Sequence, residues 1–318
     1  MKRILGILLT VALLLGCAAI AVAEDDYKIA LVEKGAEDFF LYINKGFTDA
    51  LQDLGIDGAI VDPSTFHNVA EINNAVSQAI IAGYDAIVFV AQDHEANAAA
   101  VDEAAAQGIP MIMVDVVTAS DQYVSSVCSD NYQAGSDAAD LMASYLGDEG
   151  GLVAIYGNES SSESDYKRQL GFRERCAEMY PQITLLDTQW YVGDAVQCTN
   201  QVTDTLTANP NLAGIFAINN VSSKAAANVL VSLNKAEQVQ LIGFDSDADE
   251  IKLLEDGVIT ALVVQQPYVM GYQGAELALA ALKGEEVSHE NHDPGCLIVT
   301  AENMHDPDVA KILNPLAE

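Results

Sequence analysis

Basic residues are scarce in this 318-residue chain. Lysine and arginine together number 14 against 47 aspartates and glutamates, which gives a formal net charge of -33 at pH 7. This acidity argues against a nucleic-acid partner, because no basic patch could outweigh the repulsion from phosphate groups. It also disfavours docking to anionic lipid headgroups. We interpret the acidity as a well-hydrated exterior.

Sequence motifs of common catalytic and metal sites are also missing. The chain has no G-x-S-x-G, no nucleotide P-loop, no C-x-x-C, and no G-x-G-x-x-G after a strand. Asp245-x-Asp247-x-Asp249 resembles the start of a calcium loop, but Glu250 and Asp256 stand where that loop needs Gly and Glu. We therefore predict a protein that is not an enzyme and needs no metal or cofactor.

Long apolar runs are absent after residue 23. Residues 1–23 have the pattern of a signal peptide, with two cations, an apolar stretch over 4–15 and an A-x-A cleavage site at 21–23. Residues 14–17 also resemble a lipoprotein box, so lipidation at Cys17 stays open beside simple cleavage. Either way we predict an exported protein, in the periplasm or on the outer face of the cell membrane.

Short apolar runs alternate with amphipathic helical patterns along the rest of the chain. Residues 28–32, 86–91 and 239–245 have the character of buried strands, and we predict one further strand over 183–190. Repeated βα units indicate mainly parallel sheets with helices on both faces. The length fits two such domains. We predict an α/β fold of two doubly wound, Rossmann-like lobes with a ligand cleft between them.

Four cysteines follow the apolar leader: Cys128, Cys176, Cys198 and Cys296. An even number in an exported chain permits two disulfides with three possible pairings. The alternative is a set of free, buried thiols.

Polar side chains stand where several predicted strands end. They are Gln92-Asp93, Asp115, Asn219, Asp245 and Gln265. Each one alone could be a helix cap or turn former. Five at corresponding strand ends instead favour a binding site, because open α/β sheets bind ligands at the carboxyl ends of their strands. Planar carboxylate and amide groups suit a ligand with many hydroxyls.

These segments, taken in order, resemble the ribose- and galactose-type periplasmic sugar-binding proteins, the solute receptors of ABC importers. The resemblance runs from about Lys28 to Val299. It is carried by Lys28–Val32, Phe39-Phe40, Ile109–Asp115, Ser129–Asn131, Gly135, Gly171-Phe172, Leu206–Pro210, Ile215–Asn219, Ile242–Asp245 and Val264-Gln265.

The resemblance implies a periplasmic-binding-protein-like I fold whose lobes are joined by three hinge strands and close on a small solute. The N-terminal lobe would comprise 24–129 plus 266–294, and the C-terminal lobe 130–265 plus 295–318. It also implies a monomer that delivers its solute to an ABC transporter permease. The predicted ligand-binding residues are Glu37, Phe39, Phe40, Gln92, Asp93, Asp115, Arg168, Asn219, Asp245 and Gln265, with the two phenylalanines stacking on a sugar ring unless one belongs to the helix core.

Departures from the family pattern leave the ligand open. Glu37 and Ala91 stand where the family often has Asn, and Val116 stands where it often has Arg. The prediction is therefore a monosaccharide or related polyol, with an autoinducer-2-like signal or an amine-bearing ligand as alternatives. A sensory receptor, or a secreted glycosidase using Asp93 and Asp115, are the alternative functions. The resemblance also suggests a bridge between Cys128 and Cys296 beside the hinge.

Overall fold

The computed structural model describes residues 26–159 and 162–317. The predicted signal peptide and Cys17 lie outside these residues. Within the described part of the chain, none of the helices combines the length and apolarity that crossing a bilayer requires.

The strands are β1 (Lys28–Val32), β2 (Asp57–Val61), β3 (Ala86–Phe89), β4 (Met111–Val114), β5 (Ser125–Val127), β6 (Gly151–Gly157), β7 (Ile183–Leu185), β8 (Gln189–Trp190), β9 (Leu212–Ala217), β10 (Gln240–Phe244), β11 (Ala261–Val264) and β12 (Leu297–Val299). The helices are α1 (Asp38–Leu54), α2 (Val69–Ala82), α3 (Ala98–Ala106), α4 (Asn131–Leu146), α5 (Glu163–Met179), α6 (Ala195–Ala208), α7 (Asn220–Ser232), α8 (Ala248–Glu255), α9 (Pro267–Leu282) and α10 (Pro307–Leu313).

The first sheet is wholly parallel, in the order β2-β1-β3-β4-β5. Its strands β3 and β4 are buried along their whole length, because helices cover both faces. One face packs against α1 and α9, and the other against α2 and α3. These elements form the N-terminal lobe.

The second sheet has the order β12-β11-β10-β9-β6-β7, with β8 also paired to β6. All of its pairings are parallel except that of β12 with β11. Helices α6 and α7 cover one face, and α4 and α5 cover the other. These elements form the C-terminal lobe, so the predicted α/β fold of two doubly wound lobes is confirmed.

The single strand predicted over 183–190 is wrong, because the structure divides it into β7 and β8. Both pair with β6, one near each end of that strand. Between them the Arg173 guanidinium donates hydrogen bonds to Leu186 O and to the Thr188 hydroxyl. A side chain on α5 therefore provides hydrogen-bond donors to the segment between the two strands.

In each lobe, one pair of helices crosses at glycines. A Cβ atom on Gly271 of α9 would lie 2.0 Å from the carbonyl oxygen of Ile43 on α1. A Cβ atom on Gly135 of α4 would lie 2.0 Å from the carbonyl oxygen of Arg168 on α5. Only glycine permits contacts this close, so these residues set the spacing of both helix pairs.

The chain crosses between the lobes at three places: after β5, after β11, and between Asn291 and β12. Asn291 forms a bridge to Ser126 on β5. The lobe boundaries at 129/130, 265/266 and 294/295 stay a prediction.

The suggested bridge between Cys128 and Cys296 is absent, since the four described cysteines are free thiols. Asn291, and not Cys296, lies across from Cys128. The Asn291 side chain accepts from Cys128 N at 2.9 Å and donates to Cys128 O at 2.7 Å. Cys296 lies farther along the chain and packs against the core of the C-terminal lobe. The alternative of free thiols therefore describes this structure.

Candidate functional site

Two aspartates stand at the carboxyl ends of β4 and β10, one in each lobe. Asp115 has a backbone φ of 67° and Asp245 a φ of 75°. This left-handed conformation is uncommon for residues other than glycine, although aspartate tolerates it better than most. Local backbone strain of this kind is concentrated at functional sites.

In the N-terminal lobe, Asp115 forms an ion pair with Lys34. Lys34 Nζ lies 2.8 Å from Asp115 Oδ2, and both side chains are nearly buried. The same ammonium donates to Ala91 O at 3.1 Å. Lys34 was not among the predicted site residues. It follows β1 by two residues, so the rule that we applied to the other strand ends could have found it.

In the C-terminal lobe, Asp245 is held by a neutral partner. Gln265 Nε2 donates to Asp245 Oδ1 at 2.8 Å. Burial raises the pKa of Asp245, Arg168 and the Gln265 hydrogen bond lower it, and the charge of Asp115 raises it. Asp245 lines the first cavity between the lobes, described below.

Arg168 lies buried between the C-terminal sheet and α4. Its Nε donates to Asn131 Oδ1 at 2.8 Å and its Nη1 donates to Ile218 O at 2.9 Å. The guanidinium carbon lies 3.7 Å from the centre of the Phe244 ring. Stacking and charge-assisted hydrogen bonds fix the cation in place. Its charge lowers the pKa of Asp245 and of the buried Asp165, opposing the increase caused by burial.

Asn219 is the N-cap of α7, and both ends of its side-chain amide hydrogen-bond within the protein. Its Oδ1 accepts from Ser222 N at 3.0 Å and from the Tyr191 hydroxyl at 2.8 Å. Its Nδ2 donates to Asp165 Oδ2 at 3.0 Å. The neighbouring Asn220, which was not predicted, lines the cavity described below.

The two predicted aromatic residues divide into one core residue and one cavity residue. Phe40 is 9% exposed and packs into the core of the N-terminal lobe. Phe39 contacts its ring edge-on, with centroids 5.4 Å apart, and lines the cavity between the lobes. The structure thus assigns Phe40 to the core alternative and leaves Phe39 as the flat apolar face.

Glu37 and Gln92 meet at His67, another residue that was not predicted. Glu37 Oε1 lies 2.9 Å from His67 Nε2, and Gln92 Oε1 lies 3.2 Å from His67 Nδ1. Burial opposes ionisation of Glu37, but hydrogen bonds to backbone N–H groups and to His67 outweigh it and lower the pKa of that carboxyl. These three side chains tie the segment before α1 to the end of β3.

Asp93 was predicted to bind the ligand, but it does not reach the cleft. Its Oδ1 accepts from the backbone N–H groups of Glu95 at 3.0 Å and Ala96 at 2.7 Å. The carboxylate therefore forms the turn that leads to α3, as short polar side chains often do. Among the residues that the structure describes, Asp93 lines neither of the two cavities discussed here.

Two cavities lie between the lobes. The first, of about 310 Å³, is lined by four of the predicted residues: Glu37, Phe39, Asp245 and Gln265. The second, of about 490 Å³, is lined by Asp115 and by residues on both sides of the hinge. Volumes of this size are typical of small-molecule sites. Residues from both lobes face one gap, which is the arrangement that hinge closure requires.

The fold and this gap define a two-lobe solute receptor, and the chain belongs to the periplasmic binding protein family. A family model described as a periplasmic binding protein domain matches residues 29–286. The predicted resemblance to ribose- and galactose-type periplasmic binding proteins is confirmed.

Among curated relatives, the ribose import binding protein of Escherichia coli (strain K12) is 28% identical over 288 residues, covering 90% of this chain and 95% of the relative. The D-allose-binding periplasmic protein of the same organism is 27% identical, with 87% and 90% covered. These relatives are binding proteins, which confirms the prediction of a binding protein rather than an enzyme.

Among solved structures, a carbohydrate transporter solute binding protein from Agrobacterium radiobacter in complex with D-arabinose is 31% identical, with a TM-score of 0.82. The alignment covers 92% of this chain and 100% of the Agrobacterium radiobacter protein. An ABC transporter solute binding protein from Agrobacterium vitis, bound with alpha-D-tagatopyranose, is 27% identical and has the same TM-score. The alignment covers 90% of this chain and 99% of the Agrobacterium vitis protein.

Proposed function

We propose that this protein is the extracytoplasmic solute-binding component of an ABC importer and that it captures a monosaccharide or a related polyol. Binding requires no covalent chemistry. The solute contacts both lobes, so it favours the closed arrangement over the open one. The closed, loaded form is then the one that a membrane permease receives.

The observation that carries this proposal is the polar composition of the gap between the lobes. Asp245 and Gln265 offer oxygen acceptors from one lobe, and the Lys34–Asp115 pair offers a donor and an acceptor from the other. Phe39 adds an apolar ring at the wall of the first cavity. Hydroxyl groups both donate and accept, so a polyhydroxylated solute matches this set.

The relatives support the same class of ligand, since they include binding proteins for ribose and D-allose and complexes with D-arabinose and tagatose. We infer that the ligand of this chain is a neutral sugar of this kind. The individual roles of the predicted ligand residues are part of the proposal.

Export and anchoring also belong to the proposal. The pattern of residues 1–23 supports passage out of the cytoplasm, and lipidation at Cys17 would add a membrane anchor. Mass spectrometry of the mature protein from a bacterial host distinguishes a chain that begins after Ala23 from a lipidated one that begins at Cys17.

Isothermal titration calorimetry tests the binding function. The probes are D-ribose, D-allose, D-arabinose and D-tagatose, with ribitol and arabinitol as open-chain polyols. We expect saturable one-to-one binding of at least one of them. Absence of binding across this panel, in a protein that unfolds cooperatively, would contradict the proposed ligand class.

A further inference from the structure

His67 has an uncommon backbone conformation in the loop between β2 and α2. Its φ is 56°, in the left-handed region that residues other than glycine seldom adopt. Its N–H donates to Lys34 O at 2.8 Å, which joins the loop to the segment after β1. Conformations of this kind persist where the surrounding structure fixes them. The ring of His67 lies between Glu37 and Gln92.

Both ring nitrogens of His67 face oxygen acceptors. Nε2 lies 2.9 Å from Glu37 Oε1, and Nδ1 lies 3.2 Å from Gln92 Oε1. A neutral imidazole has one N–H group and one lone pair, whereas the imidazolium has two N–H groups. The imidazolium is therefore the form that makes both contacts at once, and it carries a positive charge against the Glu37 carboxylate. Loss of the Nδ1 proton would leave a lone pair facing the Gln92 oxygen, so the amide would have to turn over to keep this contact.

Glu37 depends on His67 for its orientation at the wall of the first cavity, which it lines. It is the N-cap of α1, but its side chain makes no capping hydrogen bond. Its Oε2 accepts from Ala36 N at 3.0 Å, and its Oε1 is paired with His67. The side chain is 55% exposed, so without His67 it could rotate into solvent. A carboxylate that is fixed in advance loses less rotamer entropy when a ligand binds to it.

Few charges compete for His67. Among the described residues, Glu37 is the one charged group within hydrogen-bond distance of its ring. The other titratable residues on the segments that meet His67 are Glu33, Lys34, Asp62, Glu71 and Asp93. The nearest cation, Lys34, is held by Asp115. A proton gained or lost by His67 therefore acts mainly on Glu37.

The geometry points to His67 as a positioning residue that, in its charged form, holds Glu37 in place for the solute, so that sugar affinity falls as the pH rises. When the imidazolium loses its proton, Nε2–H still reaches Glu37, but the attraction between opposite charges is gone. Histidine side chains change charge between about pH 5 and pH 8. This inference rests on the proposed function, since it assumes that the solute binds in the first cavity.

The test compares His67→Asn with His305→Asn by calorimetry against the four sugars named above, between about pH 5 and pH 8. Asparagine tolerates a left-handed backbone, but it is uncharged and too short to reach Glu37. His305 is a matched control because it is exposed in the turn before α10 and lines neither cavity. Glu33 is present in all of these proteins, so the difference between their pH profiles reports His67.

We expect the unmodified protein and His305→Asn to lose about two- to fivefold in affinity over this range, as the ion pair of an exposed site is lost. His67→Asn should bind about three- to tenfold more weakly than the unmodified protein at the acidic end. It should also lack the part of the decline that His67 causes.

A double-mutant cycle separates positioning of Glu37 from a general structural role. The double variant His67→Asn/Glu37→Ala should bind no more weakly than Glu37→Ala alone, because a residue that acts through another has no further effect once that other is removed. Damage to the loop would instead add to the loss in Glu37→Ala. If His67→Asn does not fold, His67→Gln provides the same comparison with a neutral side chain.

Parallel pH profiles of His67→Asn and His305→Asn, or additive losses in the cycle, would overturn the role of His67 and leave the proposed function standing. Failure of the unmodified protein to bind any of the four sugars would overturn both.

Discussion

The two lobes place an aspartate at the same position of their sheets and neutralise it differently. Asp115 follows the fourth strand of the order β2-β1-β3-β4-β5, and Asp245 follows the fourth strand when the second sheet is counted from β7. Both have left-handed backbones. Each donates its N–H to a carbonyl on the next strand, Val127 O at 3.2 Å and Val263 O at 3.0 Å. The fold therefore fixes the position of the carboxylate twice.

The charge around each aspartate is set by local sequence. Lys34 contacts Asp115 directly, whereas Asp245 receives an amide hydrogen bond and shares the charge of Arg168 with Asp165. The same position of the fold thus carries a neutral ion pair in one lobe and a more negatively charged group in the other. The two ends of the cleft therefore differ in charge.

A second parallel lies behind the aspartates. Glu33 and Glu250 are fully buried, and each has one carboxyl oxygen without a hydrogen-bond partner among the described residues. Burial raises the pKa of Glu33 to about 8 and that of Glu250 well above its usual value. In each lobe, burial therefore favours the protonated form of an acid near the cleft aspartate.

The largest expected effect comes from removing Arg168. Arg168→Leu leaves the partly buried Asp245 and the buried Asp165 without their shared cation, and we expect the free energy of unfolding to fall by about 3–5 kcal/mol at pH 7. Urea unfolding measures the loss. Arg175→Leu, which removes a partly exposed pair with Asp140, is the control and should cost about 0–1 kcal/mol. Similar losses for the two variants would show that Arg168 is not the charge centre of its lobe.

The next effect concerns the two aspartates themselves. Asp245→Asn should weaken sugar binding by about 1.5–3 kcal/mol, or roughly ten- to a hundredfold. Asp115→Asn should weaken it less, because the charge of Asp115 is already balanced by Lys34. Calorimetry on both variants with one sugar gives the comparison. Losses of equal size would contradict the proposed difference in charge between the two ends of the cleft.

The glycine crossings provide a third comparison. Gly271→Ala and Gly135→Ala each place a Cβ about 2.0 Å from a backbone oxygen, so each should destabilise its lobe by about 1–3 kcal/mol. Gly135→Ala should also reduce affinity, because the displaced backbone belongs to Arg168. Thermal unfolding and calorimetry are measured on both variants. Unchanged affinity in Gly135→Ala would mean that Arg168 tolerates movement of its helix.

The smallest effect, measured per pH unit, is the pH dependence from Glu33. Its pKa in the folded state lies above the unfolded value of 4.5, so its contribution to stability is complete below pH 4.5 and is lost as the pH rises through about 8. The loss amounts to at most about 1.4 kcal/mol per pH unit. Glu33→Gln should flatten the decline in unfolding free energy between pH 5 and pH 8. The exposed Glu285→Gln is the control, and a parallel decline in all three proteins would contradict the role of Glu33.

Much of the fold follows from the sequence because buried parallel strands leave a clear apolar signature. The predicted strand over 28–32 coincides with β1, and the predicted strand over 86–91 contains β3. The split of 183–190 could not be predicted, since it depends on Arg173 of a separate helix reaching Leu186 and Thr188.

Cleft residues could be predicted where a side chain directly follows a strand, and were harder to predict elsewhere. Asp245 and Gln265 lie at consecutive strand ends and do meet. Asp93 also follows a strand, but it bonds to its own turn, which a spacing rule cannot distinguish from a ligand contact. His67 lies in a loop between β2 and α2, where no periodic pattern marks it.

Helix α9 has a consequence for how this chain reaches its folded state. It supplies Met270, Ala275, Ala278 and Leu279 to the core of the N-terminal lobe, yet it follows the C-terminal strands β6 to β11 in the chain. During synthesis, the N-terminal lobe therefore cannot complete its hydrophobic core until more than a hundred later residues have been made. Long-range completion of this kind slows folding. Under the export proposed above, late folding would keep the chain unfolded while it crosses the membrane.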